Sequence, residues 1–392
     1  MKIILIAAIG KNNELGKNND LIWNLPNDLK FFRQNTLNKT VVMGYNTYKS
    51  LPNKLKNRKM IVLTNRKIDD EEIITYKNEY ELLKNEYKED LYIIGGEQVY
   101  KTFIDIADEL YITKIDATTK ADTYFPKFNE TNYNKQIIDN NIENEISYTH
   151  IKYIRKNKLE KGKLISIEGT DCSGKATQTS LLLERLRKDN IKVSSISFPM
   201  YDSPTGAIIG ACLLGKSYLC NEYFKDGIGS WFEEGANIDP LVAIDLYAAD
   251  RRYNLPKINA LLNRGINVIL DRYVTSNMAH RGGMILDKKQ RLEMYEIIKQ
   301  KEYVLNKLPY PDATYLLYMP YEQACILKKN RQEIPDVVEN DEVYLKNGEK
   351  AYLELANLYN YDIINCTNKE EIRTVEDINE ELYHKVKKLI RG

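Results

Sequence analysis

The stretch that most constrains this chain is LISIEGTDCSGKATQTSLLLERLRKD, residues 164–189. A short apolar run is followed by a loop containing Gly169 and Gly174, and then by a run with apolar residues on one helical face. That order suits a phosphate-binding loop: backbone N–H groups point into the turn, the helix start favours an anion, and Lys175 reaches forward. A strand leading through a short loop into a helix also commits the next strand to a parallel crossover. One position departs from the pattern: Ala176 stands where a Ser or Thr hydroxyl usually holds Mg²⁺. Thr177 is no simple substitute, because it lies ~100° further round the helix. Mg²⁺ keeps several waters, so a water can fill the vacancy. The expected cost is ~1–2 kcal/mol, roughly tenfold or somewhat more in rate.

At 392 residues the chain has room for two or three domains. Its formal net charge is only +1, with acids and bases interspersed, so neither nucleic acid nor a membrane surface is an expected partner. Cys172, Cys212, Cys220, Cys325 and Cys366 are scattered without a C-x-x-C pair, which fits free thiols in a reducing cytoplasm. His150, His280 and His384 are too dispersed to suggest a zinc site. The opening MKIILIAAIG reads as a buried strand rather than a secretory leader, and no apolar run reaches membrane-spanning length.

Strand-like and helix-like runs alternate from end to end, the pattern of an α/β chain. In the first part the expected strands are IILIAAI, TVVMG, KMIVLT, LYIIG, ELYITKI and SYTHIKYI, several of them apolar throughout, as strands covered on both faces must be. Helical patterns lie between them in NDLKFFRQNT, YNTYKSL, NEYELLKNEY and EQVYKTFIDIA. At RKNKLEKGK the chain becomes charged and loses its apolar anchors. This predicts a first domain over 1–157, a linker over 158–162 and a second domain over 163–392. In the second part KLISIEG, KVSSISFP, NVILDRY, ATYLLYMP and YDIINC alternate with helical runs, which predicts a parallel sheet with helices on both faces.

In LIWNLPNDLKFFRQNT, Asn27 is the expected helix N-cap, and Asp28, Phe31 and Phe32 share one face with Leu29 alongside. Asp28 is then either a first-turn acid serving the helix dipole or a carboxylate in an apolar pocket, suited to a ligand with several N–H donors. IIGGEQVY ends a strand in Gly95-Gly96 and starts a helix, which suits either a plain turn or close approach of a phosphate-bearing ligand. VVMGYNTYKSL repeats that arrangement with Gly44, Asn46 and Thr47.

ILIAAIG, WNLPNDLKFF, VVMGYNTYKSL, NRKMIVLTNR, IIGGEQVY, LYITKIDA and DTYFP, in this order, resemble dihydrofolate reductase from Met1 to about Asn157. The resemblance implies a mixed sheet with flanking helices and hydride transfer from NADPH to dihydrofolate. It makes Asp28 the group that clamps the pterin 2-amino and N3 groups and relays a proton to N5, with Thr113 supporting it. Ile6, Ala7, Leu29, Phe32, Leu55 and Ile94 would line the pterin and aminobenzoyl pocket, and Arg58 would meet the glutamate α-carboxylate. Ala8, Gly44, Thr47, Leu63, Thr64, Gly95, Gly96, Gln98 and Val99 would hold NADPH, with a cis peptide between the paired glycines. The loop GKNNDLIW would close over the nicotinamide. Tyr45 replaces a basic residue that the family often places near the cofactor phosphates, and Arg66 is the candidate for the 2′-phosphate instead.

The phosphate loop is followed by FPMYDSPTG, LYAADRR and LDRYVTSNMAHR, which resemble the FP, base-stacking and DR[YFH] motifs of thymidylate kinase over about Gly162–Gly392. The resemblance implies a P-loop nucleoside-monophosphate-kinase fold that takes ATP, Mg²⁺ and dTMP. Gly169, Cys172, Ser173, Gly174, Lys175, Ala176 and Thr177 would cradle the ATP phosphates, and Asp171, within the same loop, would meet the dTMP ribose. Phe198 and Pro199 would flank the dTMP site, Tyr247 would stack on thymine and Arg251 would bond its O4, with Ser276 and Asn277 as further base or ribose contacts. Arg272 would hold the dTMP phosphate and the transferring phosphoryl, and Asp271 would order Mg²⁺ through water. The insert YLCNEYFKDGIGSWFEEGANIDP makes this a longer variant. ILKKNRQEIPDVVEN resembles the mobile lid and would carry the catalytic Arg331, because Cys172 takes the loop position where some members have Arg. Tyr201 stands where many members have a phosphate-binding Arg.

Together these resemblances imply a cytoplasmic bifunctional enzyme, dimeric through its second part. It would consume dihydrofolate and dTMP, the two products of thymidylate synthase. Two other readings stay open: a second part that binds nucleotide without turnover, and an acceptor broadened to dUMP, whose O4 Arg251 would also meet.

Overall fold

The computed structural model describes residues 1–85, 87–170, 172–220, 238–329, 342–369 and 371–392. The chain divides into two compact units, Met1–Glu160 and Lys161–Gly392.

In chain order the first unit contains β1 (Ile3–Ile9), β2 (Glu14–Lys17), β3 (Asp20–Leu21), α1 (Pro26–Thr36), β4 (Thr40–Gly44), α2 (Tyr45–Ser50), β5 (Lys59–Leu63), β6 (Ile73–Tyr76), α3 (Glu79–Leu83), β7 (Leu91–Gly95), α4 (Glu97–Phe103), β8 (Glu109–Ile115), β9 (Thr123–Tyr124), β10 (Tyr133–Glu143) and β11 (Ile146–Arg155). One sheet runs β10-β11-β8-β1-β7-β4-β5-β6. The pairs β10–β11 and β11–β8 are antiparallel, and the other neighbours are parallel. Central strands read as unbroken apolar runs because both faces are covered: Ile3, Leu5, Val41, Val42, Ile61 and Ile93 are all fully buried. β10 differs. It is an edge strand with mostly exposed side chains, so it carries no hydrophobic period from which a strand is legible. Leu25 is the N-cap of α1 and Pro26 its first residue, so Asn27, expected as the cap, already lies inside the first turn. Proline suits that first position, where its missing N–H has no intrahelical partner to lose.

The second unit contains β12 (Leu164–Gly169), α5 (Lys175–Lys188), β13 (Val193–Ser197), α6 (Pro204–Cys212), α7 (Pro240–Leu262), β14 (Asn267–Asp271), α8 (Val274–Gly282), α9 (Lys288–Lys299), β15 (Ala313–Tyr318), α10 (Tyr321–Lys329), α11 (Glu342–Tyr359), β16 (Asp362–Asn365) and α12 (Val375–Arg391). Its five-stranded sheet runs β13-β14-β12-β15-β16 and is parallel throughout. Ile165 and Ile167 of β12 pack with Leu182 and Leu186 of α5 and Leu382 of α12. Side chains alternate along a strand, so Glu168 of β12 faces the other way, where it bonds Ser276 of α8.

Candidate active sites

In the first unit, β7, β4 and β5 end in one row: Met43 pairs with Gly95, and Gly44 with Leu63. Gly96 and Gly44 are the N-caps of α4 and α2, and the Gly95–Gly96 peptide is cis. A Cβ on Gly96 would lie 3.0 Å from Thr47 Oγ1, and one on Gly44 would lie 3.1 Å from Val99 Cγ2. Side chains at these two positions would therefore crowd the strand ends. Thr64 follows β5, and Gln98 and Val99 are in the first turn of α4. The Arg66 guanidinium lies 4.6 Å from the centre of the Tyr45 ring, and Lys49 Nζ lies 5.9 Å from it. Tyr45 thus keeps positive charge at this edge by carrying it on the ring face.

Asp28 lies on α1 with its side chain mostly buried, and Thr113 Oγ1 of β8 donates to its Oδ1 at 2.6 Å. Ile6, Ala7 and Ala8 are on β1, where Ala8 pairs with Thr113. Leu55 and Ile94 are partly buried against the sheet core, Phe32 is partly buried on α1, and Leu29 is exposed. Arg58 donates to Thr36 Oγ1 and to the carbonyls of Arg33 and Lys56, with no carboxylate partner among the described residues. Burial, then the neighbouring Arg33 charge, lowers its pKa.

His150 of β11, read from the sequence only as a poor zinc candidate, belongs to this site. Its Nε2 lies 3.2 Å from Asp28 Oδ1, its Nδ1 lies 2.7 Å from Asp139 Oδ1, and its ring stacks on Phe31 at 3.9 Å. Burial pulls its pKa down, but hydrogen bonds to the two carboxylates outweigh burial and the net shift is upward. Tyr100 is a second unexpected neighbour: its buried hydroxyl donates to Ile6 O at 2.6 Å.

In the second unit, every described residue expected to bind substrate or cofactor lines one cavity of about 830 Å³. The phosphate loop provides Gly169, Cys172, Ser173 and Gly174, followed by Lys175, Ala176 and Thr177 in the first turn of α5. Gly174 has φ +72° and caps α5, a conformation that favours glycine. Lys175 Nζ donates to Gly169 O at 3.1 Å and Thr170 O at 3.2 Å. Ser173 Oγ is buried with no hydrogen-bond partner among the described residues, so the loop suits an oxygen-rich ligand. Phe198 and Pro199, joined by a cis peptide, form the next stretch of wall. Asp271 ends β14 with a carboxylate that makes no hydrogen bond among the described residues. Arg272 Nη1 reaches Ser276 Oγ and Tyr352 Oη, each at 3.2 Å. Ser276, expected as a base or ribose contact, lines the cavity, donates to the buried Glu168 at 2.6 Å and accepts from Arg272. Asp171 and Arg331 lie outside the described residues.

Tyr247 and Arg251 lie one turn apart on α7 and line the cavity with Asn277 of α8. Arg251 is gripped by Glu302, a buried residue that sequence reasoning did not single out, and it also donates to Tyr273 O at 3.4 Å. Asn277 donates to the same glutamate at 3.1 Å, and its Oδ1 has no hydrogen-bond partner among the described residues. The cavity also contains Lys216, whose Nζ lies 4.5 Å from the centre of the Tyr201 ring, supplying a cation beside the position where Tyr replaces Arg.

Comparison with known proteins yields two family matches, Dihydrofolate reductase over residues 2–155 and Thymidylate kinase over residues 167–378. The chain belongs to the dihydrofolate reductase and thymidylate kinase families. Similar relatives include a dihydrofolate reductase of Buchnera aphidicola subsp. Acyrthosiphon pisum, 41% identical over 33% of this chain and 81% of the relative. Another is that of Bacillus subtilis, 32% identical over 41% of this chain and 98% of the relative. A solved structure, "Dihydrofolate reductase from Enterococcus faecalis complexed with NADP(H)and RAB-propyl", is 31% identical, covers 40% of this chain and 97% of that one, and has a TM-score of 0.38. This bifunctional chain therefore joins a dihydrofolate reductase to a thymidylate kinase, and a silent nucleotide-binding second part is not favoured.

Proposed function

We propose that the first unit reduces 7,8-dihydrofolate to tetrahydrofolate and that the second converts dTMP to dTDP. The observation that carries the kinase reading is the convergence of Lys175, Asp271, Arg272, Tyr247 and Arg251 on one cavity. NADPH, when bound, supplies the hydride. Gly44, Thr47, Leu63, Thr64, Gly95, Gly96, Gln98 and Val99 hold it along the strand ends, beside Ala8, with Arg66 toward the 2′-phosphate. The Asp28 carboxylate accepts N–H bonds from the pterin 2-amino and N3 groups and is kept in place by Thr113. Ile6, Ala7, Leu29, Phe32, Leu55 and Ile94 exclude water from the ring system, and Arg58 meets the glutamate carboxylate.

In the kinase, loop N–H groups and Lys175 neutralise ATP phosphates, and Arg272 bridges toward the acceptor phosphate. Mg²⁺, when bound, neutralises phosphate charge, and Asp271 offers it a carboxylate through water. Tyr247 stacks on the base. Asn277 Oδ1 accepts from its N3–H, and Arg251 donates to O4. That acceptor–donor pair fits thymine or uracil and mismatches cytosine.

Among the described residues no helix is long and apolar enough to cross a membrane. Cys172, Cys212, Cys325 and Cys366 are thiols rather than disulfide sulfurs, which supports a cytoplasmic setting. A homodimer through the kinase unit follows from the family resemblance, and sedimentation of the full chain tests it.

The deciding experiment is ADP release by the full chain with ATP, Mg²⁺ and dTMP, without folates. Turnover that disappears in Arg272→Ala supports the kinase; tight dTMP binding without turnover overturns it. Dihydrofolate-dependent NADPH oxidation, lost in Asp28→Asn, tests the reductase.

A further inference from the structure

His150 meets a carboxylate at each ring nitrogen, and one of the two is the carboxylate read here as the pterin-binding group. Three neighbouring strands build the arrangement. Thr113 of β8 pairs with His150 of β11, and His150 pairs with Asp139 of β10. Directly paired residues share a face, so Asp139, His150 and Thr113 form a polar row across the sheet, with Asp28 of α1 bonded to it. The row depends on a bulge, because the register of β10 shifts between Ile137 and Asp139. Ile137 pairs with Ile151, so without the shift Ile138 would oppose His150 and an apolar side chain would replace the acid.

The charged groups facing His150 are Asp28 from α1 and Asp139 from β10. Thr113 on β8 and Phe31 on α1 are neutral. Tyr148 of β11 meets the imidazole edge-on, and its hydroxyl donates to Glu143 of β10 at 3.2 Å. Burial and the surrounding carboxylates push the Tyr148 hydroxyl up to about 12, so it stays protonated. His150 thus lies among anions, which favour the imidazolium. The row also leads outward: the Asp139 side chain is 47% exposed and that of His150 only 4%.

We propose that His150 is a positioning residue that stores the proton consumed in dihydrofolate reduction, as an imidazolium held by Asp139 at Nδ1 and relaying its Nε2 proton to Asp28. The step balances. Reducing the N5=C6 bond adds a hydride to C6 from NADPH, and the electron pair left on N5 takes one proton. The proton leaves imidazolium Nε2 toward Asp28, which leaves the neutral ring with its Nδ1–H held by Asp139, and after product release a solvent proton entering the emptied site by way of Asp28 restores Nε2–H. The proposal rests on the reading of Asp28 as the pterin-binding carboxylate.

The test is the pH profile of single-turnover hydride transfer in the full chain, compared with His150→Phe, Asp139→Asn and Asp28→Asn. Phenylalanine keeps a ring against Phe31 and removes both nitrogens. With the imidazole present, the rate holds to above pH 6.5, the ordinary histidine value, before falling on the basic side. Without it no imidazolium stands behind Asp28 to supply the proton. The fall then moves at least about one pH unit lower, and the deficit of His150→Phe grows at least about tenfold between about pH 6 and 8. Asp139→Asn shifts the profile part of the way. An unmoved profile with a uniformly lower rate overturns the proposal and leaves His150 as packing. Should His150→Phe not fold, carbon-13 labelling of the three histidines in the parent decides. No imidazole titrating above 6.5 that responds to a bound folate overturns the relay. If Asp28→Asn still reduces dihydrofolate, the reading of Asp28 itself has failed, and the relay with it.

Discussion

Glu302 and Arg251 form a two-point ion pair shut off from solvent: Arg251 Nε donates to Oε2 at 2.7 Å, and Nη2 donates to Oε1. Oε1 also accepts from Asn277 Nδ2, so one buried carboxylate orients both side chains assigned to the thymine edge. Contact with a carboxylate and with Ile244 O fixes Nδ2 as the inward end of Asn277 and leaves Oδ1 as an acceptor with no partner among the described residues.

Glu302→Gln keeps the shape and removes the charge. Breaking a buried pair from one side costs ~3–5 kcal/mol, because the partner charge stays buried. The kinase unit is therefore expected to unfold at lower temperature. Its kcat/KM for dTMP should fall more than about tenfold, mostly through KM, since the base contacts exist before the chemistry. Steady-state kinetics with both substrates check this, with NADPH-dependent reduction as the internal control. A KM for dTMP equal to that of the parent would remove Arg251 and Asn277 from base recognition.

Ala176→Thr restores the hydroxyl missing from the first turn of α5. The position is exposed and lines the cavity, so the added group meets little packing resistance. Recovering a ~1–2 kcal/mol interaction raises the rate at limiting Mg²⁺ roughly tenfold and lowers the Mg²⁺ needed for half-maximal turnover. A Mg²⁺ titration of dTMP-dependent ADP release measures both. Unchanged Mg²⁺ dependence would mean that water already serves the metal as well as a hydroxyl does.

Lys216, over the Tyr201 ring, is a cation beside the position where Tyr201 replaces arginine. Lys216→Met keeps most of the aliphatic stem and loses the ammonium. Losing a charge-assisted contact of ~1.5–3 kcal/mol raises KM for dTMP roughly ten- to a hundredfold. Thymidine binding, with no phosphate to lose, stays within a factor of about two. Equal losses for dTMP and thymidine would assign Lys216 to packing instead.

Much of both sites is legible in the sequence because it is local. Gly95-Gly96, Gly44 and the Gly169–Lys175 loop carry their meaning within a few residues, each at a strand end that leads into a helix. Tyr247 and Arg251 are read together because one helical turn separates them. Glu302 and His150 are illegible for the opposite reason. Glu302 meets Arg251 across 51 residues, from a π-helical turn, Gln300–Leu305, that follows α9. His150 meets Asp28 across 122 residues, and its other partner lies on β10, whose exposure removes the apolar alternation that marks a strand. The bulge that brings Asp139 into register leaves no local signal either.

His150 and His280 give the two units opposite responses to acid. His280 stacks on Tyr344, and its Nδ1 is buried without a hydrogen-bond partner among the described residues. Burial first, and then the charges of Arg272, Arg281 and Lys175, hold its pKa well below 6.5. Below pH 6.5 the unfolded chain takes up a proton that native His280 refuses, so this residue removes stability as pH falls, until its own folded value is reached. The slope is at most ~1.4 kcal/mol per pH unit. His150 works the other way. Its folded value is raised, so its contribution is complete below 6.5 and is lost as pH rises through the raised value. Acidifying from about pH 8 to about pH 5 should therefore strengthen the reductase unit through His150 first, and later weaken the kinase unit through His280. Peptide-resolved hydrogen exchange in mild urea separates the units. His280→Gln is expected to flatten the acid limb of the kinase unit alone, and His150→Phe the neutral-to-basic limb of the reductase unit alone. A kinase unit whose acid limb survives His280→Gln would trace its acid sensitivity to other groups and place a protonated His280 within the folded cavity.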